Sequence, residues 1–227
     1  MMSKRQLFHP PSKPNQAGFT VIESLMAIIV VSILMIGLSP VIVLSVATRV
    51  QARRVERATQ AARTYIDGLQ AGTIDFPLHT VPVADATNKN SFAVIGAPNS
   101  SVNLSSCSGN TYCQNTASES LYCIDFDDDG GCTSDSLIDM IVQGYRSVPS
   151  GTGTVTSPEN SYFLGVRVYR ADAFSGGRTL TAGTQKATFT GGTGLSSSEA
   201  PLVEMTTEVN ASEVNYQNLC DRLGGCN

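Results

Sequence analysis

Gly18-Phe19-Thr20-Val21-Ile22-Glu23-Ser24-Leu25 decides how this chain is read. It opens an apolar run from Phe19 to about Ala47, interrupted only by Thr20, Glu23, Ser24, Ser32, Gly37, Ser39, Pro40 and Ser45. About 20 apolar residues cross a bilayer as a helix, so the run suffices. Its single carboxylate, Glu23, stands near its start. A lone charge inside hydrocarbon costs about 2.5–3.5 kcal/mol on insertion scales, so such a residue is read first as functional. Before the run lies a short polar leader with Lys4, Arg5 and Lys13, no acid, and Ala17-Gly18 at its end. A secretory signal carries its small-residue cut site after the apolar core. Here the small residues precede it, so the helix stays with the mature chain.

The charge distribution sharpens this picture. Removing a leader of 18 residues, with three bases and no acid, from a chain with 15 bases and 19 acids leaves a net charge of −7. Five of the remaining bases, Arg49, Arg53, Arg54, Arg57 and Arg63, follow directly on the apolar run, so the rest is markedly acidic. Electrostatic binding of nucleic acid needs a basic face, and that class is set aside. The six cysteines, Cys107, Cys113, Cys123, Cys132, Cys220 and Cys226, all follow the apolar run. An even number on one side of a membrane reads as disulfides in an oxidising compartment. Six cysteines allow 15 pairings. The short intervals favour 107–113, 123–132 and 220–226, with a link from the C-terminal pair to the 107–132 region as the rival. The positive-inside rule, counted over the flanks, would put the arginines in the cytoplasm. The cysteines outweigh that count and place the leader inside and the domain outside.

The leader ending in glycine, the apolar run and the glutamate resemble the class III signal of type IV prepilins and type II secretion pseudopilins, over residues 13 to about 70. The resemblance implies cleavage between Gly18 and Phe19 by a membrane prepilin peptidase. It also implies N-methylation of Phe19, and pairing of Glu23 with the methylated amine of a neighbouring subunit. The implied partners are other pilin or pseudopilin subunits, the inner-membrane assembly machinery and the membrane. In that family a proline placed like Pro40 accompanies a kinked or locally melted helix segment.

Thr48 to Ala71 keeps a helical apolar pattern through Val50, Val55, Ala58, Ala61, Ala62, Tyr65, Ile66 and Leu69, and Gly72 supplies a stop. One helix over 19–71 would be about 80 Å long at 1.5 Å per residue. The arginine cluster reads as a solvated helix face near lipid headgroups. The predicted organisation is a leader over 1–18, an assembly helix over 19–47, its amphipathic continuation over 48–71 and an extracytoplasmic domain over 72–227. Within that domain, strand-like runs occur at Leu78–Val83, Ser91–Ile95, Leu121–Asp125, Leu137–Val142, Tyr162–Arg170, Lys186–Thr190 and Leu202–Val209. Segments 150–157 and 191–198 read as loops. The fold class is α+β, an antiparallel sheet packed on the C-terminal half of a long N-terminal helix, as the resemblance also implies.

One more motif carries chemistry. Asp125-Phe126-Asp127-Asp128-Asp129-Gly130-Gly131 alternates carboxylates around a glycine turn. Calcium takes six to eight oxygens, and such a loop supplies several. The sequence proposes Asp125, Asp127, Asp129 and the Gly131 carbonyl as Ca²⁺ ligands. The closing glutamate of an EF-hand is absent, its slot being held by Ser136, with Asp135 and Asp139 nearby. The plainer alternative is a solvated acidic turn between Cys123 and Cys132.

Catalytic signatures are missing. No G-x-S-x-G or H-E-x-x-H occurs, and neither His9 nor His79 lies near a cysteine, so neither an enzyme nor a zinc site is expected. The expected function is that of a minor pilin or pseudopilin, a structural subunit of a secretion or surface filament. The elaborate cysteine-rich domain is similar in style to pseudopilins of cyanobacterial polysaccharide secretion. The alternative is an anchored binding or adhesion domain that never polymerises.

Overall fold

The computed structural model describes residues 20–83, 95–149, 162–175, 177–182, 196–209 and 216. The chain divides into two compact units, Met1–Ala47 and Thr48–Asn227.

Helix α1 spans Val21–Gln70. It starts where Thr20 accepts the Glu23 amide on its side-chain oxygen at 3.3 Å. Threonine is a good N-cap because it satisfies an amide that has no partner inside the helix. The helix continues through Pro40, so of the kinked or locally melted segment expected there, melting is not found. α1 ends at Gln70 and the chain turns away at Gly72, whose φ of +69° is the left-handed conformation that favours glycine at a helix stop. Ile74 folds back over Gly68, where a Cβ would lie 2.4 Å from its Cδ1.

Within the second unit, α1 buries Ala58, Ala61, Ala62, Tyr65 and Leu69. Their three- and four-residue spacing places them on one face. The stripe is narrower than the sequence suggests, since Val50 and Val55 remain exposed and Ile66 is half-buried. Small alanines let a sheet approach closely. Six strands form that sheet: β1 (Thr80–Val83), β2 (Tyr112–Asn115), β3 (Ser120–Ile124), β4 (Met140–Pro149), β5 (Tyr162–Arg170) and β6 (Val203–Val209). The order β2-β3-β4-β5-β6 is antiparallel throughout.

β1 is the exception, pairing parallel to β4 from Thr80 opposite Arg146 to Val83 opposite Pro149. β3 pairs with β4 only as far as Gln143, and β1 takes the backbone groups left open beyond it. The expected strands at 121–125, 162–170 and 202–209 match β3, β5 and β6 to within a residue or two. The run at 137–142 marks only the start of β4, and β2 had no counterpart among the expected strands. Lys186–Thr190, most of Ser91–Ile95 and the loop at 150–157 lie outside the described residues. Part of the loop expected at 191–198 is a single helical turn, α2 (Ser196–Glu199).

Both faces of the sheet are covered. Tyr122, Ile124, Met140, Val142, Tyr162, Leu164, Val166 and Val168 pack with the buried stripe of α1. Leu121, Cys123, Ile141 and Tyr169 face the other way and pack with Leu104, Phe174 and Leu180. On this second face Arg167 is fully buried. Its Nε donates to Glu204 at 3.1 Å and its Nη1 to the Ile95 carbonyl at 2.8 Å. The Tyr145 ring lies 5.3 Å from the Arg167 guanidinium carbon. It covers Gly165, where a Cβ would fall 2.0 Å from the Tyr145 ring.

Candidate functional sites: the assembly helix and the acidic loop

The first site is the start of α1. Thr20 and Glu23 occupy the N-cap and third helical position, with Thr20 accepting the Glu23 amide on both its side-chain and carbonyl oxygens. A negative charge in the first turn complements the positive end of the helix dipole. Sequence reading missed the cap role of Thr20, which the T-x-x-E spacing could have disclosed. Every residue from Thr20 to Val46 is exposed. Apolar side chains such as Ile22, Leu25, Ile29, Ile33 and Leu44 thus stay exposed among the described residues. Such a helix is stable in lipid or against other helices, because its apolar surface would otherwise face water. Gly18 and Phe19 lie outside the described residues.

The arginines beyond the apolar run divide. Arg49, Arg53 and Arg63 are exposed, while Arg54 and Arg57 are half-buried. Burial lowers the Arg54 pKa, the nearby Arg170 lowers it further, and Asp172 opposes both. Arg54 therefore belongs to a charged group with Arg170 and Asp172 at the end of β5, which the expected solvated face did not include.

The second site is the loop joining β3 to β4. The Asp125 carboxylate gathers its backbone, accepting from the amides of Asp127 at 3.1 Å, Asp128 at 2.8 Å and Gly130 at 3.1 Å. Desolvation pushes its pKa up, but these hydrogen bonds outweigh it and hold the carboxyl below its usual range. Asp128 and Gly130 sit at φ +56° and +109°, which lets the chain wrap around Asp125. Gly131 forms a bridge with Ser108 and approaches the Cys107 carbonyl so closely that a Cβ would lie 2.2 Å from it. Its amide lies 3.4 Å from Asp129.

Two disulfides frame this loop. Cys123 joins Cys132 across it, and Cys107 joins Cys113 beside it. These are two of the three local pairings expected; Cys220 and Cys226 lie outside the described residues.

The loop also gains a member that the motif does not contain. Ligand atoms of Asp125, Asp127, Asp129 and Asp139 all lie within 4.8 Å of one another. Asp139, just before β4, is fully buried. One of its oxygens accepts the Phe126 amide at 3.2 Å. The other has no hydrogen-bond partner among the described residues. Burial pushes the Asp139 carboxyl up; the Phe126 amide and nearby Ser136 hydroxyl pull it down, and the charges of Asp127 and Asp125 push it up again. Sequence reading named Asp139 only as a neighbour of the empty EF-hand slot. The hairpin pairing that brings it back beside Asp125 is not visible in local spacing.

Comparison with curated proteins finds no match, and comparison with solved structures finds none. One family model does match, over the stretch that opens the chain: residues 13–39 carry the prokaryotic N-terminal methylation motif, the class III signal of type IV pilins, and they lead into the long apolar helix of an α+β, pilin-like fold.

Proposed function

We propose that this chain is a minor pilin or pseudopilin. It is cut between Gly18 and Phe19 by a prepilin peptidase, methylated at Phe19, held in the inner membrane by α1 and then drawn into a filament. The observation that carries the reading is the methylation motif at residues 13–39 running into a helix exposed from Thr20 to Val46. A helix with apolar side chains all round requires lipid before assembly and neighbouring helices afterwards. In the filament, Glu23 pairs with the methylated amine of Phe19 on an adjacent subunit. Opposite charges are costly when buried apart and tolerable together. The sheet domain is then displayed outside the cytoplasm, where its disulfides are stable. The role is structural, in secretion or in a surface filament, rather than catalytic.

Replacing Glu23 tests this reading. Glu23→Ala is expected to enter the membrane at least as well as the wild type, since a charge has left the apolar run. It is expected to lose cross-linking to neighbouring subunits and incorporation into sheared filaments. Full incorporation would remove Glu23 from the assembly contact. A wild-type protein that stays in the membrane without self-association would support an anchored, non-polymerising domain instead.

A further inference from the structure

We propose that Asp125, Asp127, Asp129 and Asp139 together hold one Ca²⁺ at the turn between β3 and β4, independently of the filament role. Three of these residues belong to one short loop, and exposed acidic loops are common without any ion. Asp139 sets this loop apart. It comes from beyond that loop, it is fully buried, and its Oδ2 has no hydrogen-bond partner among the described residues. It nevertheless contributes a ligand atom to a cluster whose members all lie within 4.8 Å of one another. A buried carboxylate oxygen without a donor loses its solvation and gains nothing in return. Next to three further carboxylates that loss is compounded by repulsion. A divalent cation removes both costs at once.

The chemistry of the donors selects the ion. All four are hard oxygen ligands, which excludes the softer metals that favour cysteine or histidine. The cysteines beside the loop are already joined in disulfides and offer no thiolate. Calcium takes six to eight oxygens in a tolerant geometry, so four carboxylates leave places for water and for the Gly131 carbonyl. Magnesium demands a near-octahedral shell and dehydrates reluctantly, so it fits this crowded anionic loop less well. The framework is already in place, because Asp125 has gathered the amides of Asp127, Asp128 and Gly130. The Cys123–Cys132 bridge restrains the two ends. The bound ion would tie the loop to Asp139 at the head of β4 and so fix the hairpin that presents Gly131 to Cys107.

The test uses the full chain in detergent, stripped with EGTA and titrated with CaCl₂ or MgCl₂ from about 10 µM to 10 mM, a range that brackets extracellular calcium modules. Calorimetry reads binding and thermal melting reads stability. Calcium is expected to bind with one-to-one stoichiometry and to raise the melting temperature, with magnesium at least tenfold weaker. Asp139→Asn keeps the shape and the acceptor for Phe126 but removes the charge, and is expected to weaken calcium roughly tenfold or more. Asp127→Asn, an exposed position that does not endanger the core, is expected to do the same. Asp128→Asn is the control, since Asp128 is outside the cluster and asparagine tolerates its positive φ; it should stay within about twofold of the wild type. No calcium binding, with identical melting in calcium and EGTA, overturns the proposal. Wild-type affinity in either Asp139→Asn or Asp127→Asn overturns the four-carboxylate site.

Discussion

The Tyr65 hydroxyl on α1 occupies the place a side chain on Gly144 of β4 would need: a Cβ there would lie 2.3 Å from the Tyr65 oxygen. The same hydroxyl meets that of Tyr112 at 2.7 Å, and Tyr112 donates to the Asp75 carbonyl at 2.7 Å. Tyr112 has a single proton to give, so Tyr65 is the donor of the pair. Burial, with the Tyr112 contacts next, raises the Tyr65 pKa well above its ordinary value, which keeps the phenol protonated. Helix, sheet and the chain after Gly72 are thus joined through one buried ring.

This contact predicts a non-additive pair. Gly144→Ala inserts a methyl group into filled space and should cost about 1–3 kcal/mol. Tyr65→Phe removes one buried hydrogen bond and should cost about 0.5–1.5 kcal/mol. The double variant should lose less than the sum, because the two residues share the contact. Urea unfolding of the four proteins checks this, and strict additivity would show that the ring does not rest on Gly144.

Glu204 forms an ion pair with Arg167, whose side chain is fully buried while that of Glu204 is 24 % exposed. Glu204→Ala removes the carboxylate that Nε donates to and should cost about 2–4 kcal/mol. Glu204→Gln keeps an oxygen for Nε and should cost less. Equal losses in the two variants would mean that packing, not the acceptor, is what Glu204 supplies.

His79 gives the domain a pH dependence of definite sign. Its ring lies 6.2 Å from that of Tyr145, and its Nδ1 is buried without a hydrogen-bond partner among the described residues. Burial lowers its pKa in the folded protein. An unfolded chain titrates histidine at about 6.5. Between the folded value and that figure the unfolded state binds more protons, so stability falls as pH drops through about 6.5 and levels off below the folded value. His79→Gln should flatten that slope. An unchanged slope between pH 5 and 7 would assign it elsewhere.

The sequence was most legible where one physical demand acts alone. The apolar run needed only length and composition to be read as a membrane-capable helix. β5 and β6 were read closely, because Tyr162, Leu164, Val166 and Val168 alternate toward the helix. β4 was read only at its start. Its continuation through Gln143, Gly144, Arg146 and Ser147 has little apolar character in sequence yet is buried, since both faces of the sheet are covered; Gln143 donates to the Gly96 carbonyl and Arg146 lies over the Phe76 ring. β2 carries no apolar alternation and is held by pairing with β3. Asp139 was missed as a member of the acidic cluster because strand pairing, not spacing, brings it there.

In the proposed function, processing depends on the glycine before the helix. Gly18→Glu should block cleavage and leave only the longer form in membranes, as read by the mass of the extracted protein. A shortened form from that variant would move the cut site away from Gly18–Phe19.

We propose that this chain matures into a filament subunit through its methylation motif, and its N-terminus would record that. Mass spectrometry of the N-terminal peptide of the membrane-extracted wild-type protein tests it most directly. The expected peptide begins at Phe19 and carries one additional methyl group on its amine. A peptide that retains the leader through Gly18, with no methyl group at Phe19, would contradict it.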